Sequence, residues 1–449
     1  MLEAPNTPAP AARFYRLALV EACDRFSLHG VKALLTIYIL SVVIPGGIDR
    51  VVGLVALRRA IEALSGPTSD LAFASQLYGL YGALSYLMLP IGGMVADRLV
   101  SRRRTIVAGA LLMTGGHACM TQAALLLVGL ALLAVGTGCL KGNLAAEAGL
   151  VYPRDDPRRD RAYVSYLGFL NIGAMLGPLL CGLLAQHWGW AYAFGAAAGG
   201  MVVALALFLG LPPGPAVPSP RTGPTDRTSS VGRALIAAVA VTLCFCAYEQ
   251  LTNMVLVWAR DRVDLRIGGV VLPPASLAAA DGAFTILLVL LGAWGWPRLA
   301  RYGLEPGSAG KLMLGCLAVA GGYGVLAMLD AAPGARIGPA GPIGVILLLD
   351  IGIVLAWPAA LALITSAAPT GRIGAFVGIF YLHGFVANLV VGRLGGYYGT
   401  MADARFWLIH AGIALAGAGV AATLLRGQGR CCQTGSQATT SSMPASTSA

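Results

Sequence analysis

The chain has 449 residues, 57% of them hydrophobic and 11% charged, with 31 lysines and arginines against 20 acids and a net charge of +11. Soluble domains carry about a quarter charged residues, so this composition excludes a water-soluble globule and makes the bilayer the solvent. The excess of base does not mark a nucleic-acid partner, because the arginines fall mostly in short loops between apolar runs, where they orient a membrane protein.

Runs of about twenty apolar residues cross a bilayer. Twelve are predicted, at 14–44, 70–96, 104–121, 123–150, 161–187, 190–211, 232–260, 273–296, 308–330, 340–367, 373–399 and 403–425. The first is too long and too charged for a signal peptide, so no cleavage is expected. Residues 212–231 are rich in Pro, Ser, Thr and Gly, with no apolar period. They read as a cytoplasmic linker between a six-helix half at 1–211 and a second at 232–425. The Ser/Thr-rich stretch 426–449 reads as a disordered cytoplasmic tail. The expected fold is an all-α membrane protein of twelve transmembrane helices. Arginines concentrate in the loops on the side of the termini, which places both termini in the cytoplasm. Alanine- and glycine-rich composition with Arg far above Lys points to a GC-rich genome and a bacterial inner membrane. A monomer is expected.

The first span contains Glu21-Ala-Cys-Asp24-Arg25-Phe-Ser-Leu28-His29-Gly-Val-Lys32. Glu21, Asp24, Arg25, Leu28 and Lys32 follow i, i+3, i+4, i+7 and i+11, so they share one helix face. A charge at the bilayer centre costs about 2.5–3.5 kcal/mol on insertion scales and marks function by default. A neutralised structural pair, Glu21 or Asp24 with Arg25, is the plainer alternative. Lys141, in the glycine-rich run Gly136–Asn143, and Glu249, beside Gln250 in the seventh span, have no opposite charge within four residues. They are expected to pair with each other across the two halves, either as a switch that breaks in another state or as a permanent bridge. Asn171, mid-way along the fifth span, is suited to orienting a polar ligand or to an interhelical hydrogen bond. His29 and His383 titrate in the range of a proton sensor, though such histidines more often satisfy a neighbour. Between spans two and three, Gly93, Asp97, Arg98 and Arg102 combine a helix-approach glycine with an acid–base run that can lock a gate. The nine cysteines show no zinc or disulfide spacing. No nucleophile–base pair appears in any loop, so neither an enzyme nor a cofactor or metal is expected.

Six plus six spans and the Gly93–Arg104 loop resemble the major facilitator superfamily. A narrower resemblance, to the proton-dependent oligopeptide transporters, runs from about residue 13 to 399. Glu21 to Gly30 is similar to that family's E-x-x-E-R-F-x-Y-Y-G motif, and Lys141 with Asn143 to its G-x-K-x-N. Tyr166, Asn171 and Gly173 resemble Y-x-x-x-N-x-G with one residue more between the tyrosine and the asparagine, Glu249-Gln250 resembles the E-Q of span seven, and Pro358, Thr365 and Pro369 match the end of span ten. The resemblance implies proton coupling at Glu21, Asp24, Arg25, Glu249 and Lys141. It implies contacts to the substrate carboxylate from Arg25, Lys32 and Lys141, and to its amino end from Asn171. The departures are Asp24 for Glu, Leu28 and His29 for two tyrosines, and Ile353 for the glutamate that binds the ammonium. Asp281, at a position where the family usually has asparagine, or Asp350 stands in for that anion. Asp281 is favoured, and a solvated acid near the pore mouth is the alternative for either.

The function implied is a proton-coupled symporter importing di- or tripeptides, or a related carboxylate-bearing solute, by alternating access. A proton-driven drug exporter of the same superfamily and a non-transporting nutrient receptor are the alternatives.

Overall fold

A computed structural model describes residues 10–152, 156, 158–212, 231–332, 336–369 and 373–440. The central linker beyond Pro212 therefore lies outside the described residues up to Val231, as do 441–449. The backbone of a spanning segment must satisfy its own hydrogen bonds in hydrocarbon, and long helices do so. In chain order they are α1 (Pro10–Tyr38), α2 (Leu54–Ser65), α3 (Asp70–Arg98), α4 (Arg102–Met120), α5 (Leu126–Gly149), α6 (Arg159–His187) and α7 (Trp190–Leu209). Then follow α8 (Val231–Tyr248), α9 (Met254–Arg262), α10 (Ala275–Arg301), α11 (Ser308–Ala331), α12 (Ala340–Ser366), α13 (Ile373–Gly395) and α14 (Asp403–Thr440).

Among the described residues, 11 segments are long and apolar enough to cross a membrane, α8 and α9 counting as one. The twelfth span is α4, 19 residues long and opening on three arginines that lower its apolar character. It packs on α5 and α7 like its neighbours. Apart from the far end of α14, the predicted spans match the helices to within about five residues.

The spans form two bundles. In the first, α1 packs on α6 and α7, α5 on α3 and α4, and α4 on α7. In the second, α8 packs on α11, α12, α13 and α14, α11 on α12 and α14, and α10 on α12. The halves meet along two seams, α3 against α13 and α6 against α10. Small residues make both seams close, as bilayer packing requires. A Cβ on Gly79 would lie 2.6 Å from Gly392 Cα, and one on Gly282 would lie 2.8 Å from Met175 N.

Two spans are irregular. Helix α1 passes into a π-turn at Ile39–Val43. The seventh span breaks after Tyr248 into a 3₁₀ turn, Glu249–Thr252, and resumes as α9 beyond Asn253 (φ −109°, ψ −93°). Such interruptions expose backbone where a transporter builds its site.

Three features depart from the sequence reading. The loop after span one folds into the amphipathic α2, too polar on one face to register as a span. A short hairpin pairs Arg266–Ile267 with Val270–Val271, turning on Gly268 and Gly269 at positive φ. Helix α14 continues to Thr440 where a disordered tail was expected from 426, since proline is absent from 426 to 440 and nothing stops the helix sterically.

Candidate functional site

With twelve spans, the start of α1 and the end of the last span lie on one face, the terminal face; the other is the distal face. The charged stretch of α1 runs inward from the terminal face along the seam between the halves. Arg25 donates to Glu21 Oε1 through Nε at 3.1 Å and through a terminal nitrogen at 3.0 Å. The Tyr166 hydroxyl of α6 donates to the other oxygen, Oε2, at 3.1 Å. Glu21 is therefore buried but satisfied, which is the condition under which a charge survives there. Asp24 has no exposed surface, and neither carboxylate oxygen has a hydrogen-bond partner. The charges that act on it are Glu21 and Arg25 of its own helix and Lys141 of α5.

Lys32 forms an ion pair with Glu249 Oε2, linking α1 to the turn that breaks span seven. The Tyr86 hydroxyl donates to Glu249 Oε1 at 3.5 Å, and the Lys32 ammonium lies 5.8 Å from the centre of the Tyr78 ring. This corrects the expectation that Glu249 pairs with Lys141. Helix α1 packs directly on the span-seven turn and on α9, so Lys32 reaches Glu249. Lys141, on α5, lies in the field of Asp24, Glu21, Arg25 and Lys32 instead. Among the described residues no ion pair within 4 Å reaches it. The hydroxyls close to these charges come from Tyr78 and Tyr86 of α3 and Tyr166 of α6. His29 sits half-buried among Arg25, Lys32 and Lys141. His383 packs its ring against Phe245 at 4.4 Å and Tyr86 at 5.9 Å.

The two acids posed as alternatives stand together. Asp281 of α10 accepts from the Tyr248 hydroxyl at 2.6 Å, and Asp350 of α12 accepts at 3.4 Å from Thr285, one turn beyond Asp281 on α10. Ile353 lies one turn away and is partly buried among apolar neighbours. Asn171 is not joined to the charged cluster. Its side-chain NH₂ donates to Leu167 O of its own helix at 2.9 Å, beside a gap of about 20 Å³ in the α6–α10 seam. That space accommodates about one water.

At the terminal end of α3, Arg102 donates to Asp97 at 3.4 Å. The close helix approach there belongs to Gly92, not Gly93. A Cβ at 92 would lie 2.8 Å from Cys139 N, whereas Gly93 faces open space, one residue being about 100° of helix rotation. Asn143 reinforces that contact by donating to Gly92 O at 3.2 Å. Arg98 is exposed.

A polar network that sequence reading missed closes the distal end. Thr36 of α1 donates to Asn253 Oδ1 at 2.8 Å, and Asn253 Nδ2 donates to Ser75 of α3 at 2.8 Å and to Gln250 at 3.0 Å. Ser75 in turn donates to Gly392 O of α13 at 3.0 Å, and the hydroxyls of Tyr78 and Thr252 meet at 2.5 Å. The signal was present in the recurrence of Gln250, Thr252 and Asn253 within an apolar run. These cross-half bonds all lie at the level of Glu249 or beyond it toward the distal face.

Comparison with known proteins agrees with this geometry. The chain is 26% identical to the peptide transporter YePEPT of Yersinia enterocolitica, over 88% of this chain and 91% of that protein. A di-/tripeptide transporter of Lactococcus lactis subsp. cremoris is 36% identical over 41% of this chain and 34% of its own length. Among solved structures, peptide transporter POT in complex with sulfate superposes with a TM-score of 0.79 at 23% identity, covering 93% of this chain and 95% of that one. A POT family transporter in complex with 5-aminolevulinic acid gives 0.77 at 18%, covering 92% and 95%. The model of the Major Facilitator Superfamily matches residues 33–392. With two six-helix bundles, a broken seventh span at their seam and that match over most of its length, the chain belongs to the Major Facilitator Superfamily.

Proposed function

We propose that the protein is a proton-coupled symporter that carries di- or tripeptides, or a closely related carboxylate-bearing solute, across a bacterial inner membrane by alternating access. The observation that carries this reading is the Lys32–Glu249 ion pair, which joins the two halves at the interruption of span seven. Protonating Glu249 discharges the pair and frees Lys32. Arg25, Lys32 and Lys141 then offer cationic groups to a substrate carboxylate, and Asp281 and Asn171 receive its amino end. Glu21 and Asp24 hold Arg25 and Lys141 in place and exchange protons as substrate arrives. With both termini cytoplasmic, the distal network is the closed outer gate and the cavity faces inward. Gly93, Asp97, Arg98 and Arg102 belong to the inner gate. The protein works as a monomer with no cofactor.

The magnitudes are compatible. Removing one partner of a buried ion pair costs about 3–5 kcal/mol. One charge crossing 100 mV gains about 2.3 kcal/mol, and one pH unit adds about 1.4 kcal/mol. The drive carried by a single proton, about 3.7 kcal/mol, is thus of the same size as the ion pair it has to switch. The test is uptake of labelled di-alanine into liposomes under an inward proton gradient, with Glu249→Gln alongside. Accumulation by the wild type and its loss in the variant are expected. Equal accumulation by both would refute coupling through Glu249, and uptake of another carboxylate in place of peptide would reassign the substrate.

A further inference from the structure

The cycle above uses Asp281 only as a contact for the substrate's amino end and leaves Asp350 without a role. Yet Thr285, one turn on from Asp281 along α10, donates to Asp350 of α12 at 3.4 Å, which sets the two acids side by side. The Tyr248 hydroxyl donates to Asp281 at 2.6 Å. Asp350 has no exposed surface, and its Oδ2 meets no N–H or hydroxyl of the protein. Asp281 is only half-buried and is the more exposed of the two. Among the described residues neither acid has a cation within 4 Å.

An ionised carboxylate only accepts hydrogen bonds, so two facing carboxyls can bond only with a proton on one of them. Two full charges about one helix turn, ~5 Å, apart would repel by about 3 kcal/mol even at an effective dielectric of 20. One shared proton replaces that repulsion with a charge-assisted hydrogen bond. The surroundings supply little other compensation. Tyr248 and Glu249 face the pair from the end of α8 and the turn after it, and Lys32 faces it from α1 but is held by Glu249. Helix α6 presents the backbone of Met175 at Gly282. On the far side of α12, α11 sets Gly322 against Leu349, and α13 sets Phe380 against Trp357.

We propose that Asp281 and Asp350 form a second proton-carrying site, in the C-terminal half and distinct from the Lys32–Glu249 pair. The proton enters at the cavity-facing carboxylate of Asp281, leaving a water where it was a hydronium, and is stored against Asp350. The loaded pair keeps one negative charge, which a substrate ammonium at Asp281 neutralises without displacing the proton from Asp350. When the cavity opens to the other face, the ammonium departs and the stored proton returns to water. The carrying role rests on the symporter reading, whereas the shared proton does not.

Infrared spectroscopy of the full chain in liposomes at neutral pH tests the shared proton. The wild type is expected to show the carbonyl band of a protonated carboxylic acid, shifted in deuterated water. The band is expected to vanish in both Asp281→Asn and Asp350→Asn, each of which leaves a single carboxylate facing an amide donor. Its persistence in both variants would overturn the proposal, and agreement between two separate variants guards against misfolding of either. The ratio of protons to substrate, read from the reversal potential of coupled flux, is expected to fall by one proton in Asp350→Asn. An unchanged ratio in a transporting Asp350→Asn protein would overturn the carrying role alone. A wild type that keeps the band but moves neither peptide nor another carboxylate-bearing solute would overturn that role and the symporter reading together.

Discussion

Replacing Asn253 by alanine strikes the distal closure at one point. The Asn253 carboxamide accepts from Thr36 of α1 and donates to Ser75 of α3, both at 2.8 Å, so one side chain of the second half ties down two helices of the first. Its bond to Gln250 lies within its own half and is unaffected when the halves part. Interhelical hydrogen bonds in membrane proteins average about 0.6 kcal/mol, with a maximum near 1.7. Two of them favour the closed distal end by about 1–3 kcal/mol, a factor of about 5–150 in population. Spin labels on Gln122 and Arg266 report the opening, since both are exposed distal positions, one in each half. In a background with the native cysteines replaced, Asn253→Ala is expected to enrich the long-distance population measured in liposomes by double electron–electron resonance. Thr36→Ala, which removes one of the two bonds, is expected to give a smaller enrichment. Identical distance distributions in wild type and Asn253→Ala would refute the latch.

Lys32→Ala leaves Glu249 buried with only Tyr86 as a donor, a loss of about 3–5 kcal/mol. A lowered melting temperature is expected, with partial recovery in Lys32→Ala/Glu249→Gln measured in the same detergent. Asp330→Ala strips the acceptor from the indoles of Trp258 (2.7 Å) and Trp407 (2.9 Å) and the partner from Arg262. Hydrogen bonds to a charged group are worth about 1.5–3 kcal/mol each, so the thermal shift is expected to be large, and smaller in Asp330→Asn, which retains a side-chain acceptor. Gly282→Val puts branched carbon where Met175 N lies 2.8 Å from an added Cβ. Loss of uptake with normal membrane expression is expected, and wild-type uptake would show that the α6–α10 seam tolerates separation.

Much of this was legible along the chain. A span needs about twenty apolar residues whatever surrounds it, so the helices from α1 to α14 that cross the membrane declared themselves by length. Charges inside such a run are costly wherever they sit, and Glu21, Asp24, Arg25, Lys32, Lys141 and Glu249 could therefore be marked before any fold was known. Amphipathic α2 escaped notice because its 12 residues fall short of a span and mix polar with apolar, so they raise no hydropathy peak.

Partnership was a different matter. Lys32 and Lys141 are both lone bases within apolar runs, and only the packing of α1 on the broken turn of span seven assigns Glu249 to Lys32. Asp281 and Asp350 offered a choice in sequence, and the crossing of α10 and α12 makes them a pair. Gly92 and Gly93 are indistinguishable as letters, but about 100° of helix rotation puts one against Gly138 and the other in open space. A single sequence thus determined which residues are too costly to be idle, because the free energy of burying a charge is a property of the residue and its medium. The tertiary structure decided what each one does, because attraction, repulsion and hydrogen bonding depend on distances of a few ångströms between helices far apart in the chain.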